Sequence, residues 1–319
     1  MMGRFVLRRL VGMVAVLFAV SVLTFLVFNV IPNSDPARRM AGRSASQAQI
    51  AHIDREWGFD DPLPQQYLTM MGKVFSGDLI SYATRENVEE RIVEGIPATV
   101  SLCVGAAVIW MFFGILFGYL SALRAGGWLD RALTVLAVTG ISMPVFWLAA
   151  IFLNYLTYKA EIFPSGEYVE LTTNPLEWAG HLILPWITLA ILYVGFYSRV
   201  LRSSMLDVMG EDYVRTARAK GLGERRVMSR HVMRNSLIPI ITLFGLDFGA
   251  LLGGSILIEA LFNLNGVGRY AYESLESFDL PPIMAIVLYG AFFVVLFNTL
   301  VDIAYAWLDP RVRLGAEAH

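Results

Sequence analysis

The sequence predicts an all-α membrane protein with six transmembrane helices. Of its 319 residues, 56% are apolar and 16% are charged, a balance well outside that of soluble globular domains. Six runs are long enough to cross a hydrocarbon core, which takes about 20 apolar residues per helix. None of these runs contains a Lys or Arg. They are Leu10–Ile31, Pro97–Leu123, Ala132–Leu156, His181–Ser198, Leu237–Ile258 and Ile283–Leu308.

The first run follows Arg4, Arg8 and Arg9, a pattern that also begins a signal peptide. Its apolar length exceeds the roughly 7–15 residues of a signal peptide, and no small-residue cleavage site follows it. We therefore predict a retained membrane anchor.

Basic residues in the short loops predict the orientation, because Lys and Arg are enriched on the cytoplasmic side. The N-terminus, the loops Ser121–Arg131 and Arg199–Ser236, and the tail are basic, whereas the loops near Lys159 and Arg269 carry one basic residue each. Both termini are therefore predicted to be cytoplasmic.

The chain is predicted to divide into four regions. They are 1–31, with the first helix; 32–96, outside; 97–308, the five-helix core with its cytoplasmic loop 199–236; and 309–319, the tail.

The segment between the first two runs contains residues that typically begin and end helices, which predicts a small folded cap. Ser46 can begin a helix that ends near Gly58, and Pro64 can begin another that stops near Gly77. A third helix is predicted over Val88–Glu94. The alternative is a solvated spacer.

Prolines mark the membrane runs in a similar way, since a missing N–H costs little in the first turn of a helix. Pro97, Pro185, Pro239 and Pro282 lie near predicted segment starts. Pro144 lies in mid-segment, where it is predicted to kink the third run.

The fifth run combines small residues with one ionisable group. Gly245, Gly249 and Gly253 share a helical face that allows close packing of another helix, from this chain or from a partner. Asp247 lies between them, and the membrane runs offer it no basic partner. An intramembrane carboxylate is by default a functional hypothesis. Asp247 is either a hydrogen-bonded structural residue or part of a translocation path.

No constellation for catalysis or metal binding is visible in the sequence. The four histidines are scattered along the chain, Cys103 is the single cysteine, and no phosphate-binding G-x-x-x-x-G-K-[ST] motif occurs. A membrane-embedded enzyme is therefore disfavoured. If transport is driven uphill, the nucleotide chemistry must lie on another polypeptide.

The basic segment Glu211–Pro239 is the strongest candidate for contact with such a polypeptide. From Arg199 to Arg234 there are nine Lys/Arg and four Asp/Glu, although the whole chain has a net charge of −2. The pattern predicts a short helix, a bend at Gly221 to Gly223, and a second basic helix.

Within the first of these helices, Glu211 and Asp212 can cap and charge-match the N-terminus. Val214, Ala217 and Gly221 form a small stripe that a partner can approach closely. The stripe is flanked by a basic face, composed of Arg215, Arg218 and Arg225. The segment is either a docking element for a partner or a solvated loop that sets topology and touches anionic lipid.

The stretch from Tyr213 to Leu222 resembles the cytoplasmic motif of ABC-importer permeases, in the form found in the dipeptide and oligopeptide branch. In the general pattern a Glu-Ala-Ala triplet precedes a glycine; here Arg215-Thr216-Ala217 occupies the triplet and Gly221 is the glycine. Motifs along nearly the whole chain are similar to the first, B-type permease subunit of that branch. They are Trp57–Tyr67, Gly77–Leu79, Pro97–Thr99, Ser142–Trp147, Gly253-Gly254, Gly266–Arg269 and Asp309–Arg311.

This resemblance implies a non-catalytic subunit of a type I importer in a prokaryotic cytoplasmic membrane. Its expected partners are a second, similar permease, two cytoplasmic ATPases that bind ATP and Mg²⁺, and an extracytoplasmic solute-binding protein that delivers peptides. No cofactor is expected on this chain. The implied ATPase-coupling helix comprises Val214, Arg215, Thr216, Ala217, Arg218, Gly221 and Leu222.

Two points stay open at this stage. A secondary transporter or channel would also explain six helices and Asp247, although no internal repeat is evident between the two halves. The cargo is not fixed by the sequence, because relatives of this architecture are associated with dipeptides, oligopeptides, glutathione and nickel chelates. By sidedness alone, the segment 32–96 and the loop Glu259–Pro282 are candidates for contact with the binding protein.

Overall fold

The computed structural model describes residues 2–30, 36–41, 45–164 and 166–308. The predicted tail 309–319 and the start of the 32–96 segment lie outside these ranges. Within them the chain is helical, without strands apart from one isolated bridge between Ile80 and Asn87. The predicted all-α class is confirmed.

The α-helices of the described ranges are α1 (Met2–Phe25), α2 (Pro36–Ala41), α3 (Gln47–Trp57), α4 (Leu63–Ser76), α5 (Val88–Leu123), α6 (Trp128–Ser142), α7 (Val145–Phe152), α8 (Pro175–Met209), α9 (Asp212–Ala219), α10 (Glu224–Val227), α11 (Met233–Ser236), α12 (Ile238–Leu252), α13 (Ile256–Leu261), α14 (Val267–Ser277) and α15 (Leu280–Leu308). Short π-helical turns extend α1 through Val30 and α7 through Lys159. A third, Met228–Val232, joins α10 to α11.

Helices long and apolar enough to cross a membrane account for the predicted spans. Four are continuous: Val6–Phe28, Val88–Leu123, Pro175–Met209 and Leu280–Val301. Two more are bent pairs, Trp128–Ser142 with Val145–Lys159 at 95° and Glu224–Ser236 with Ile238–Leu252 at 42°. Counting each bent pair as one span gives six within the described residues.

The break in the third run lies where proline predicts it. Met143 is extended, and Pro144 becomes the N-cap of α7, where its carbonyl accepts from the N–H groups of Trp147 and Leu148. The predicted kink is therefore confirmed, and it separates two helices that meet at 95°.

The structure corrects two predicted helix boundaries. Val88–Glu94 is not a separate helix but the beginning of α5, which continues through Pro97. Gly95 does not end the helix; its lack of a side chain allows close approach to α14, since a Cβ there would lie 2.8 Å from the Val267 nitrogen. The fifth run stops at Leu252 instead of Ile258, because the chain turns at Gly254 with a φ of +146°.

Two further prolines lie in α8, the helix of the fourth run, which begins earlier than predicted. Pro185 lies inside α8, whose first residue is Pro175 and whose N-cap is Asn174. The Asn174 side chain accepts from the N–H groups of Leu176 and Glu177. This cap fixes the start of α8 at Pro175, about two turns before His181, where the predicted apolar run begins.

The first two helices predicted for the 32–96 segment are present. Ser46 caps α3 through a reciprocal pair with Gln49, and Gly58 ends it in the left-handed conformation at φ +64°. Gly77 ends α4 in the same way at φ +73°. The part of this segment that the structure describes is thus a folded cap and not a solvated spacer.

The contacts divide the described chain into two compact units, one formed by the residues up to Val100 with those from Gly249 onward, the other by Ser101–Phe248. In the first unit one apolar core joins α1 to α5 with α14 and α15. Its fully or almost fully buried members include Met40, Trp57, Met70, Leu79, Val88, Val267 and Met284.

The glycine face of α12 packs against a helix of the same chain. A Cβ on Gly249 would lie 2.9 Å from the Phe297 Cβ, and one on Gly253 would lie 3.2 Å from the Gly290 Cα. The neighbour of these two glycines is therefore α15. Gly245 is buried one turn earlier in α12.

Candidate functional site

The basic segment folds as the predicted helix, bend and second helix. Helix α9 ends at Ala219, and Gly221 turns the chain with a φ of +78° before α10 begins after Gly223. The Gly221 N–H donates to the Arg218 carbonyl at 2.9 Å, and the Leu222 N–H donates to the Ala217 carbonyl at 3.3 Å. These bonds close the C-terminus of α9.

Side chains from both helices hold α9 in place. The Arg218 guanidinium donates to both Glu224 carboxylate oxygens, at 2.8 and 3.1 Å, and so bridges the turn between α9 and α10. The Asn235 amide of α11 donates to the Tyr213 hydroxyl at 2.6 Å. These exposed contacts add little stability singly, but together they fix the geometry of the loop.

The predicted small stripe does not form the outer surface of α9. Val214 is fully buried and Ala217 is almost so, because the apolar side of an amphipathic helix faces its own chain. Exposed instead are Arg215, Thr216 and Arg218, and Gly221 is exposed at the turn. Leu222 is half-buried beside it.

The predicted cap at the start of α9 is also only partly realised. Glu211 occupies the N-cap position, but its side chain makes no capping hydrogen bond. Asp212 in the first turn supplies the negative charge that the helix dipole favours.

An ion pair that the sequence did not reveal joins α8 to α6 in the second unit. Arg202 of α8 donates to both oxygens of Asp130 at 2.6 and 2.7 Å, and Asp130 is buried at the start of α6. The Ser121 hydroxyl also donates to Asp130, as does the Gly126 N–H at 2.8 Å. One carboxylate thus ties together the adjoining ends of α5, α6 and α8.

Asp247 lies in α12 and is half-buried. The Tyr197 hydroxyl of α8 donates to its Oδ2 at 2.7 Å. Tyr197 belongs to an aromatic group with Trp110, Tyr193 and Phe244, whose ring centroids lie 4.6 to 6.3 Å from that of Trp110. Within the described residues no Lys, Arg or His pairs with Asp247.

A third carboxylate, Glu259 of α13, is completely buried in the first unit. Its Oε1 accepts from the hydroxyls of Ser255 and Thr99 at 2.7 and 3.0 Å. Its Oε2 accepts from the N–H groups of Gly268 and Arg269 at 2.8 and 3.2 Å, which belong to the first turn of α14 and have no partner within the helix.

Close packing surrounds Glu259. A Cβ on Gly266 would lie 2.1 Å from its Oε2, so only glycine fits there. Burial raises the pKa of the Glu259 carboxyl above its ordinary value, and its four hydrogen bonds act in the opposite direction because they favour the charged form.

Family models match almost the whole chain. The model described as the binding-protein-dependent transport system inner membrane component matches residues 114–314. The model for the N-terminal part of that membrane component matches residues 2–103.

Three similar proteins match this chain over nearly its whole length and nearly the whole of their own. A probable peptide ABC transporter permease of Sinorhizobium fredii is 36% identical, over 98% of this chain and 100% of its own. A probable D,D-dipeptide transport system permease of Escherichia coli K12 is 37% identical, over 97% of each chain. A glutathione transport system permease of Pectobacterium atrosepticum is 38% identical, over 98% of this chain and 99% of its own.

Among solved structures, the inward-facing MetNI methionine ABC transporter has the same fold, with a TM-score of 0.54 and 14% identity over 70% of this chain and 99% of its matched chain. The type I importer permease fold is therefore confirmed. These findings support an ATP-coupled importer over a secondary transporter or channel, and the chain belongs to the binding-protein-dependent ABC importer permeases of the inner membrane.

Proposed function

We propose that this chain is a non-catalytic permease subunit that translocates peptides delivered by a solute-binding protein. The names of its relatives, which include peptide, D,D-dipeptide and glutathione permeases, support a peptide-like cargo. It works beside a second, homologous permease and two ABC ATPases, which carry the ATP and Mg²⁺. The subunit alternates between outward- and inward-facing states as the ATPases close and open.

The observation that carries this proposal is the exposed face of α9. Arg215, Thr216 and Arg218 are exposed on a helix whose apolar side is buried. The turn at Gly221 and the Arg218–Glu224 pair hold that face in a fixed orientation. A short rigid helix of this kind can seat in a groove of an ATPase and transmit its movement.

The route from α9 into the membrane is short. Only Gly210 and Glu211 separate α9 from α8, and Arg202 of α8 is clamped to Asp130. A displacement of α9 therefore acts on α8, and through Asp130 on α5 and α6 together. Such a bundle shifts as one body, which suits a switch between two states.

The proposed orientation places α9 and both termini in the cytoplasm, with 32–96 and the loop 259–282 outside, where they meet the binding protein. Cys103 is the single cysteine and is buried, so introduced cysteines report their own side. In intact cells a membrane-impermeant maleimide is expected to label Phe75→Cys and not Lys220→Cys. Labelling of Lys220→Cys without permeabilisation would contradict this orientation.

The coupling proposal is tested by placing the same substitution at two neighbouring glycines. Gly221 has a φ of +78°, whereas Gly223 has a φ of −61°, and no atom lies within 4 Å of a Cβ built at either. Gly221→Val therefore strains the turn by about 1–2 kcal/mol, and Gly223→Val does not.

In proteoliposomes with the complete importer, Gly221→Val is expected to lose most of the ATPase stimulation by loaded binding protein. Gly223→Val is expected to keep it, and both variants insert into the membrane normally. Full stimulation in Gly221→Val, with the ATPases still bound, would refute a coupling role for this turn.

A further inference from the structure

Asp247 differs from Asp130 and Glu259 because only one of its carboxylate oxygens accepts a hydrogen bond. Tyr197 donates to Oδ2, and within the described residues no group donates to Oδ1. The side chain is half-buried, so it is neither sealed in the core nor fully exposed. An intramembrane carboxylate in this condition has the capacity to accept a cation.

The surroundings of Asp247 favour an organic cation over a metal ion. Hard metal ions take several oxygen ligands, and here one carboxylate stands among aromatic rings. Tyr193 and Phe244 are partly exposed beside the buried Trp110, with ring centroids 4.6 and 6.1 Å from that of Trp110. Aromatic faces with a nearby carboxylate suit an ammonium group, through cation–π attraction and a charge-assisted hydrogen bond.

We propose that Asp247, with Tyr193, Tyr197 and Phe244 around it, binds the ammonium group of the cargo during translocation. This inference rests on the proposed peptide transport, because a peptide carries such a group at its amino terminus. Tyr197 is a positioning residue: its hydroxyl holds Oδ2 and leaves Oδ1 for the ligand. A lysine side chain of the cargo offers the same chemistry, and the experiment distinguishes the two sources.

The test compares uptake of three tripeptide probes by the reconstituted importer. Trialanine carries the amino-terminal ammonium, propionyl-alanyl-alanine lacks it, and propionyl-lysyl-alanine moves it to a side chain. All variants use the same binding protein, so its own preference cancels when each variant is compared with the wild type.

Two substitutions separate the charge of Asp247 from its hydrogen bond: in Asp247→Asn the amide oxygen can still accept from Tyr197, whereas Tyr197→Phe removes the donor. Asp247→Asn removes the charge, and Tyr197→Phe keeps the charge and the ring. Asp247→Asn is expected to reduce the preference for trialanine over propionyl-alanyl-alanine by about tenfold, and Tyr197→Phe by a smaller factor, because the carboxylate keeps its charge but loses the hydrogen bond that positions it. Propionyl-lysyl-alanine behaves like trialanine if either ammonium can reach the site, and like propionyl-alanyl-alanine if only the amino terminus does.

The outcomes separate this inference from the function on which it rests. Equal losses for all probes in both variants would show a structural role for Asp247 and Tyr197 and overturn the ammonium site. Unchanged preference in Asp247→Asn would overturn it as well. Absence of uptake of every probe by the wild type, in a complex that hydrolyses ATP, would refute peptide transport and the ammonium site with it.

Discussion

Asp130 and Asp247, both in the second unit, are held in contrasting ways. Asp130 receives four hydrogen bonds, two of them from a guanidinium, and its carboxylate is closed off. Asp247 receives one hydrogen bond from a neutral tyrosine and keeps an oxygen open. A carboxylate with all its partners fixes helices, whereas one that lacks partners costs stability and is retained for another reason.

Glu259 extends the comparison to the first unit. Within the described residues no cation pairs with it, yet four donors, two of them at the N-terminus of α14, satisfy its carboxylate. A buried carboxylate therefore does not need an ion pair to serve as a structural anchor. What separates Asp247 from both anchors is the number of donors, and substitutions at each site measure that difference.

The largest expected effect is that of Glu259→Gln. The amide oxygen can still accept from the N–H groups of Gly268 and Arg269, but the amide nitrogen then faces the Ser255 and Thr99 hydroxyls, which now donate to the carboxylate and would have to reorient at a fully buried position. We expect a loss of about 3 kcal/mol or more, seen as a lower melting midpoint and a poor yield of the purified permease. Glu276→Gln, at an exposed position of α14, is the control. Equal stability of the two variants would remove Glu259 from the class of anchors.

Arg202→Met is expected to follow. Methionine has nearly the length of arginine but cannot donate, so the buried Asp130 carboxylate keeps only the Ser121 hydroxyl and the Gly126 N–H as donors. We expect a loss of about 2–3 kcal/mol, less than for a fully sealed pair because Arg202 is partly exposed. Addition of Asp130→Asn should recover part of the loss in a double-mutant cycle. Additive losses would show that the two residues act independently.

Thr99→Val tests one donor of the Glu259 network alone. The Thr99 hydroxyl donates to Glu259 and accepts from the Val267 N–H at 2.9 Å, so its removal leaves both groups short of a partner. The shape of the side chain is unchanged. A loss of about 1–2 kcal/mol in thermal melting is expected, between those of Glu259→Gln and Asp247→Asn. A neutral result would mean that water replaces the hydroxyl.

The smallest effect on stability is expected for Asp247→Asn. The amide oxygen can still accept from the Tyr197 hydroxyl, and the cost of a charge without a cation disappears. The melting midpoint should therefore change by an amount equivalent to about 1 kcal/mol or less. A loss as large as that of Arg202→Met would place Asp247 with the structural anchors and end the contrast.

The sequence predicted the features that depend on local chemistry. Ser46 and Gly58 bound α3, Pro144 breaks the third run, and Gly221 turns the basic segment, because caps, prolines and left-handed glycines act on their own neighbours. The predicted end of a helix at Glu94 was wrong, because the next residue, Gly95, continues α5 and makes a close contact with α14 that no local pattern reports.

The sequence could not predict the pairings that join distant parts of the chain. Arg202 lies 72 residues from Asp130, and Glu259 lies 160 residues from Thr99. No charge pattern identified them, although a lone carboxylate just beyond an apolar run was a usable signal at Glu259. The sequence also could not predict that Val214 and Ala217 of α9 are buried within their own chain. An amphipathic pattern does not say whether its apolar side meets its own chain or a partner.

The shared core of the first unit limits how this subunit can be exchanged with others. Trp57 and Met70 of the 32–96 segment belong to the same apolar cluster as Phe25 of α1 and Met284 of α15. Transplanting that segment alone into another permease would cut through this cluster and expose both halves. A working chimera must therefore carry α1, α14 and α15 along with the segment, so the smallest portable unit is discontinuous in the gene.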